Sequence, residues 1–186
     1  MILPIYLYGH PVLRKVTKDI SLDYPGLKPL LDNMFETLYN ADGVGLAAPQ
    51  IGLEDRILVV DMTSLSDREP SFKDFKRVFI NAYITEQDGA EEAVEEGCLS
   101  IPDIHEQTLR KNRIRISYLD ENLQPHDEVF EGYKARVIQH EYDHLEGIMF
   151  VDRISGIRKQ MIRSKLNKIM KGEVRCHYKV KIAPGK

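Results

Sequence analysis

The stretch GYKARVIQHEYDHLEG, Gly132 to Gly147, constrains this chain more than any other. At helical period, Ala135, Ile138, Tyr142 and Leu145 fall on one stripe, and Tyr133, Val137, His140 and His144 on a neighbouring one. A helix is expected from about Gly132 to Glu146. His140 and His144 then share a face and can grip one metal ion, with the Glu141 carboxylate beside whatever else the ion binds. The bland alternative is a pair of partly buried, hydrogen-bonded histidines, because HExxH also occurs by chance. The well-patterned helix, with its acidic residue in the position the motif requires, favours the metal.

Two histidines leave the site incomplete. A hydrolytic metal site offers three protein ligands and keeps one position for water. In one scheme a third histidine follows the turn glycine by three residues, but Gly147 is followed there by Phe150, which cannot coordinate. Another scheme takes a downstream carboxylate. Glu173 sits after a basic stretch near the tail, and Asp152 lies close to the helix end, so both are poor candidates. The better candidate is upstream, Cys98 in EEGCLSIP. A lone cysteine is usually a small buried apolar residue, and Cys176, in the polar tail, keeps that reading or is simply exposed. Cys98 with a separate HExxH instead completes a Cys-His-His set with an open fourth position. Its thiolate suits a soft or borderline divalent ion such as Zn²⁺ or Fe²⁺, and ligand types alone point to zinc.

The rest of the chain supplies both helices and strands. LKPLLDNMFETLYNA places Leu27, Leu30, Leu31, Met34, Phe35 and Leu38 on one helical face and stops at Asp42-Gly43. A glycine-rich loop, GVGLAAPQIG, follows. ILVVDM is a short β-branched run, expected as a buried strand. Thr63 to Lys76 is polar and reads as a surface excursion. VFINAYIT is a further strand, with EGCLS at the end of a short strand or loop. NRIRISYLD alternates at Ile114, Ile116 and Tyr118, and a partner strand is expected within Leu123 to Glu131. A last helix, about Ser155 to Lys171, puts Ile157, Met161, Ile162, Leu166 and Ile169 on one side, and the tail VRCHYKVKI can add a short edge strand. The expected class is α+β: mixed and antiparallel strands around a central HExxH-bearing helix, with an N-terminal and a C-terminal helix. One catalytic domain is expected over residues 1–186.

Composition narrows the function by exclusion. With 42% hydrophobic and 30% charged residues and a net charge of −3, nothing marks the whole chain as a nucleic-acid or membrane protein. No apolar run approaches the roughly 18 residues a membrane span needs. MILPIYLYGHPVLRK lacks the basic-then-apolar order of a signal peptide and is read as mature sequence. Two cysteines are too few for a disulfide framework, so reduced thiols in a cytoplasmic protein are expected.

Three segments, GVGLAAPQ (Gly43 to Gln50), EGCLS (Glu96 to Ser100) and QHEYDH (Gln139 to His144), in this order and spacing resemble the signature motifs of peptide deformylases. The resemblance takes in most of the chain, including HPVLRK near its start. It implies hydrolysis of the N-formyl group of formyl-methionyl nascent polypeptides, with release of formate and a free α-amine. It implies one divalent ion on Cys98, His140 and His144, usually Fe²⁺ in the cell, with Zn²⁺, Ni²⁺ or Co²⁺ as substitutes. A metal-bound hydroxide would attack the formyl carbon, with Glu141 as general base and then acid. The Gln50 side-chain amide and the Leu99 backbone N–H would receive the oxyanion. Gln50 has an alternative as a turn residue bonded to its own loop.

Further roles follow from the same resemblance. Gly45 would pair its backbone with the substrate as an added strand, and Gly43 and Gly45 would let the loop approach the peptide closely. Glu96 and Arg110 would support the cysteine loop as a partly buried salt bridge; two solvated charges are the plain alternative. The methionine pocket is expected from Tyr133, Arg136 and Val137, with Val44 and Leu99 across the cleft, the Arg136 stem lining it while its head reaches water. His105 stands where many relatives carry an arginine that binds the peptide backbone, which puts contacts beyond the methionine in doubt. Arg158, Lys159, Arg163, Lys165, Lys168 and Lys171 make the last helix basic, by default a solvated face and otherwise a surface for docking on the ribosome.

Two rival readings remain. A metalloendopeptidase shares HExxH but predicts a His or Glu third ligand. A structural metal module needs a closed four-ligand site, and His10, His105, His126 and His177 give no motif-like fourth ligand.

Overall fold

The structure is a computed structural model and describes residues 1–185. The elements run β1 (Ile5–Tyr6), α1 (Leu27–Asn40), β2 (Gly45–Ala47), β3 (Ile57–Asp61), β4 (Lys76–Cys98), β5 (Ile101–Leu119), β6 (Pro125–Glu131), α2 (Gly132–Leu145), α3 (Gly156–Met170) and β7 (Val180–Lys181). The expected α+β class is what is found. A five-stranded antiparallel sheet has the order β2-β3-β4-β5-β6, and β1 and β7 form a separate parallel pair.

The sheet is covered on both faces at β3. Leu58 and Val60 pack with Ala135, Ile138 and Leu145 of α2. Ile57 and Val59, pointing the other way, pack with Leu31, Met34, Phe35 and Leu38 of α1. That is why ILVV is apolar without interruption, and the strand is buried at all five positions, Asp61 included. α2 is therefore central, and its residues from Ala135 to Glu141 are all buried. A third cluster gathers Leu7, Leu13, Ile101, Phe150 and the inner side of α3 beside the turn between β4 and β5.

Three expectations change. VFINAYIT and NRIRISYLD are only parts of β4 and β5, which pair from Ile80↔Leu119 up to Cys98↔Ile101. Register shifts bend the hairpin, and Asn81 and Gly89 take positive φ, +50° and +77°. On α3, Ile162, Leu166 and Ile169 are buried, whereas Ile157 and Met161 are 75% and 62% exposed. Positions 162, 166 and 169 make a complete i, i+4, i+7 stripe, and 157 and 161 lie off it. The tail does add a short strand, at Val180–Lys181, paired with β1. The Thr63–Lys76 excursion holds two short 3₁₀ turns, but Phe75 within it is buried and Phe72 packs on the core.

Candidate metal centre

α2 carries His140 and His144 on one face, with ring centroids 5.3 Å apart. Cys98 reaches them from the end of β4, its Sγ 3.4 Å from His144 Nε2. Ligand atoms of Cys98, His140 and His144 all lie within 4.8 Å of one another, the one such group of three or more His, Cys, Asp or Glu among the described residues. Phe150, where another scheme would place a third histidine, packs in the core against the His140 ring. Asp152 is engaged by Arg14 and by the Met149 N–H.

The orientation of these ligands is set by buried charge. His140 Nδ1 lies 2.8 Å from Glu96 Oε1, which turns its Nε2 toward the cluster. Arg110 clamps Glu96 with two bonds, of 2.7 and 2.9 Å, and gives its remaining arm to Asp143 at 2.8 Å. Arg153 holds Asp143 from the other side. The Glu96–Arg110 pair is thus fully buried, at 6% and 2% side-chain exposure, rather than partly. Arg136 also departs from expectation. Its guanidinium is buried, donating to Glu96 and to the Thr108 and Glu92 carbonyls, and does not reach water. Three donors around one carboxylate leave no room for the head to turn outward.

Burial pushes the Glu96 carboxyl up, but the His140 and Arg110 hydrogen bonds and charges outweigh it and hold it at about 2. Burial works against charge on His140, yet the Cys98 sulfur and Glu96 carboxylate hold its pKa well above the ordinary value. Burial and the His140 charge push His144 well below. One thiol, two imidazoles and no fourth protein donor among the described residues fit a metal ion with an open position.

Glu141 is buried next to the cluster, and its Oε2 has no hydrogen-bond partner among the described residues. Burial pushes its pKa up to about 7. Gly45 leaves space for it: a Cβ there would come within 2.6 Å of the Glu141 carboxylate. Gln50 accepts from the Ala47 N–H at 2.9 Å, so its amide nitrogen points inward, 3.2 Å from Ser100 Oγ and 3.6 Å from Cys98 Sγ. It is at once the loop-bonded residue and a donor facing the cluster. The Leu99 N–H has no hydrogen-bond acceptor among the described residues.

A cleft of about 450 Å³ opens over Cys98, His140 and Glu141, bounded by Gly43 to Gly45 and by Leu99 and His105. A small side cavity of about 100 Å³ brings together Val44, Tyr133, Arg136 and Val137 beside Glu96 and Glu141. Leu99 lines the main cleft and not this cavity. Cys176 lines the cleft too, with Arg175, His177 and Tyr178. The tail residues and the Asp143–Arg153 pair were not foreseen. Asp143 carried a signal, lying between the two histidines on a helix buried nearly all round. Arg158 of the basic helix is taken up by Glu106.

The fold and the comparisons agree on a class of hydrolase. The family model for polypeptide deformylase matches residues 2–160. A peptide deformylase of Flavobacterium johnsoniae is 51% identical over 100% of this chain and 98% of its own. The crystal structure of a peptide deformylase from Legionella pneumophila superposes with a TM-score of 0.81 at 35% identity, covering 94% of this chain and 99% of that one. One from Thermotoga maritima gives 0.75 at 41% identity, covering 83% and 99%. The chain belongs to the peptide deformylase family.

Proposed function

We propose that this hydrolase removes the N-formyl group from formyl-methionyl nascent polypeptides. The observation that carries the reading is the convergence of Cys98, His140 and His144 beside a buried, unpartnered Glu141 oxygen, with Cys98, His140 and Glu141 lining one cleft. Cys98, His140 and His144 would hold a single divalent ion, Fe²⁺ in the cell. Bound there, such an ion supplies Lewis acidity to the formyl oxygen and to a water.

The chain's own residues do the rest. Glu141 takes a proton from the attacking water, whose oxygen bonds to the formyl carbon. As the C–N bond breaks, Glu141 returns that proton to the leaving amine, so formate and a free N-terminus result. The negative charge that develops on the formyl oxygen is received by the Gln50 amide and the Leu99 N–H. Losing one such donor typically costs about 10²–10³ in rate. β2 lies at a sheet edge, so the substrate backbone can add to it along Gly45. The methionine side chain enters the cavity between Val44 and the Tyr133–Val137 turn of α2. Arg136 forms the base of that cavity through its bond to Glu96.

The test is formate release from formyl-Met-Ala-Ser by protein purified without oxygen, with and without chelator, beside Glu141→Ala. Release is expected from the untreated protein, with loss on chelation and a fall of about 10²–10⁴ in Glu141→Ala. No release from protein with metal confirmed on Cys98 overturns the reading. Cleavage of an unformylated internal peptide would support an endopeptidase instead.

A further inference from the structure

The family match ends at residue 160, yet residues 175–178 line the cleft. The tail reaches it along a fixed route. β7 pairs with β1, and the Ile5 and Leu7 N–H groups donate to the Lys179 and Lys181 carbonyls, both at 2.9 Å. The same N-terminal segment grips the turn between β4 and β5, where the Tyr8 N–H donates to the Ser100 carbonyl at 2.8 Å. Burial along Val174 to Val180 alternates, with Val174, Cys176, Tyr178 and Val180 half-buried and the residues between them exposed. Val174 and Val180 pack on the third core cluster. Tyr178, between these anchors, donates its hydroxyl to the Leu99 carbonyl at 2.8 Å.

Leu99 is thereby held from two sides. Its side chain presses on the backbone at Gly43, where a Cβ would come within 2.9 Å of Leu99 Cδ1. Its carbonyl is bonded to Tyr178, and its N–H has no acceptor among the described residues. A turn residue clamped at its side chain and its carbonyl has little freedom left to rotate the N–H out of the cleft. From this geometry we infer that Tyr178 is a positioning residue for the reaction: through the Leu99 carbonyl it aims the Leu99 N–H at the formyl oxygen. The inference deepens the proposed function and rests on it. The interaction with the oxyanion exists only in the transition state, so a mis-aimed donor lowers kcat and leaves KM alone.

Tyr178→Phe keeps the ring and removes the hydroxyl. Its kcat on formyl-Met-Ala-Ser is expected to fall about three- to tenfold, the worth of one net hydrogen bond, with KM, metal content and Tm as in wild type. Tyr178→Leu, which also removes the ring, is expected to fall further in kcat. A wild-type kcat in Tyr178→Phe, or a change confined to KM, overturns the inference. A second readout does not depend on activity: hydrogen exchange of the Leu99 amide in metal-free protein is expected to quicken in Tyr178→Phe, while amides of α1 do not change. Unaltered exchange at Leu99 overturns the positioning role even if formate is released. Quickened exchange in Tyr178→Phe, alongside a wild-type chain that releases no formate, would overturn the deformylation reading and leave the clamp standing.

Discussion

Arginines face carboxylates at both the inner and the outer end of the stretch of the β4–β5 hairpin that runs from its turn to its middle. Near the turn, Arg110 meets Glu96 at 2.7 Å with side-chain exposures of 2% and 6%. At the outer end of that stretch, about the middle of the hairpin, Arg113 meets Asp88 at 2.8 Å with exposures of 33% and 52%. The distances are alike, and the surroundings are not. Outside, water screens the pair and each long side chain loses rotamer freedom to make it, so such contacts are worth about 0–1 kcal/mol. Inside, both charges have left water, and the geometry has to compensate fully. Glu96 meets that demand with Arg110, Arg136 and His140, and Arg110 with Glu96 and Asp143. A buried ionic cluster is a weak source of net stability compared with apolar packing. What it does supply is orientation, fixing the His140 ring and the end of β4 that carries Cys98.

The inner end gives the largest expected effect. Glu96→Ala leaves the buried Arg136 with carbonyl acceptors but no carboxylate, Arg110 with Asp143 alone, and the His140 Nδ1 without its partner. Denaturant unfolding should show a loss of about 3–5 kcal/mol. The protein should also bind its metal about 10–100-fold more weakly by competition with a chelator, because the His140 ring loses its acceptor. A loss under about 1 kcal/mol with unchanged metal affinity would erase the distinction between the two ends.

Acid sharpens the same contrast. Burial raises the Glu96 carboxyl, but its His140 and Arg110 partners hold it down at about 2, against 4.5 for a free glutamate. The folded chain therefore binds this proton less readily than the unfolded one. The contribution to stability is complete above pH 4.5 or so and is lost as pH falls toward 2. Unfolding free energy of the wild type should decline across that window. The decline should flatten in Glu96→Gln, which has no carboxyl to titrate. Equal slopes in the two proteins would mean that Glu96 is not held in its charged form.

The apolar core and the inner part of the hairpin also differ in how well the sequence betrays them. Met34, Leu38, Ala135 and Ile138 are buried where hydrophobic periodicity places them, and Leu58 and Val60 sit in an unbroken apolar run, so α1, α2 and β3 were legible. His140, His144 and Cys98 could be named because few residue types bind a borderline ion. The inner half of β5 hides itself. Ile104, Glu106, Thr108 and Arg110 alternate in burial with His105, Gln107 and Leu109, but the buried side is polar and Leu109 is 52% exposed. Burial keeps the period of two while hydrophobicity does not, and only the second can be read from letters. For the same reason EEAVEEG did not reveal that Glu96 is buried while Glu95 is exposed. Arg136 was misread because a charged residue on a cavity wall ordinarily snorkels. Its carboxylate partner lies 40 residues away and arrives only through the hairpin. Tyr178 gave no local sign at all, since its partner is a backbone carbonyl 79 residues upstream.

The smallest expected effect lies at the outer end, and it bears on the comparison most directly. Arg113 is shared: besides Asp88 it has Glu86 at 3.8 Å and Glu131 at 3.7 Å. Removing Asp88 leaves the guanidinium in water beside two other carboxylates, so no charge is stranded. A double-mutant cycle of Arg113→Ala and Asp88→Ala should give a coupling of about 0.5 kcal/mol or less, shrinking further as ionic strength rises and the Debye length falls below about 10 Å. Neither variant should alter metal affinity, because no bond connects Arg113 or Asp88 to Glu96, Asp143 or His140. A coupling above 2 kcal/mol that survives in high salt would show that exposure is not what separates the two ends. The inner cluster would then need another explanation for its hold on His140.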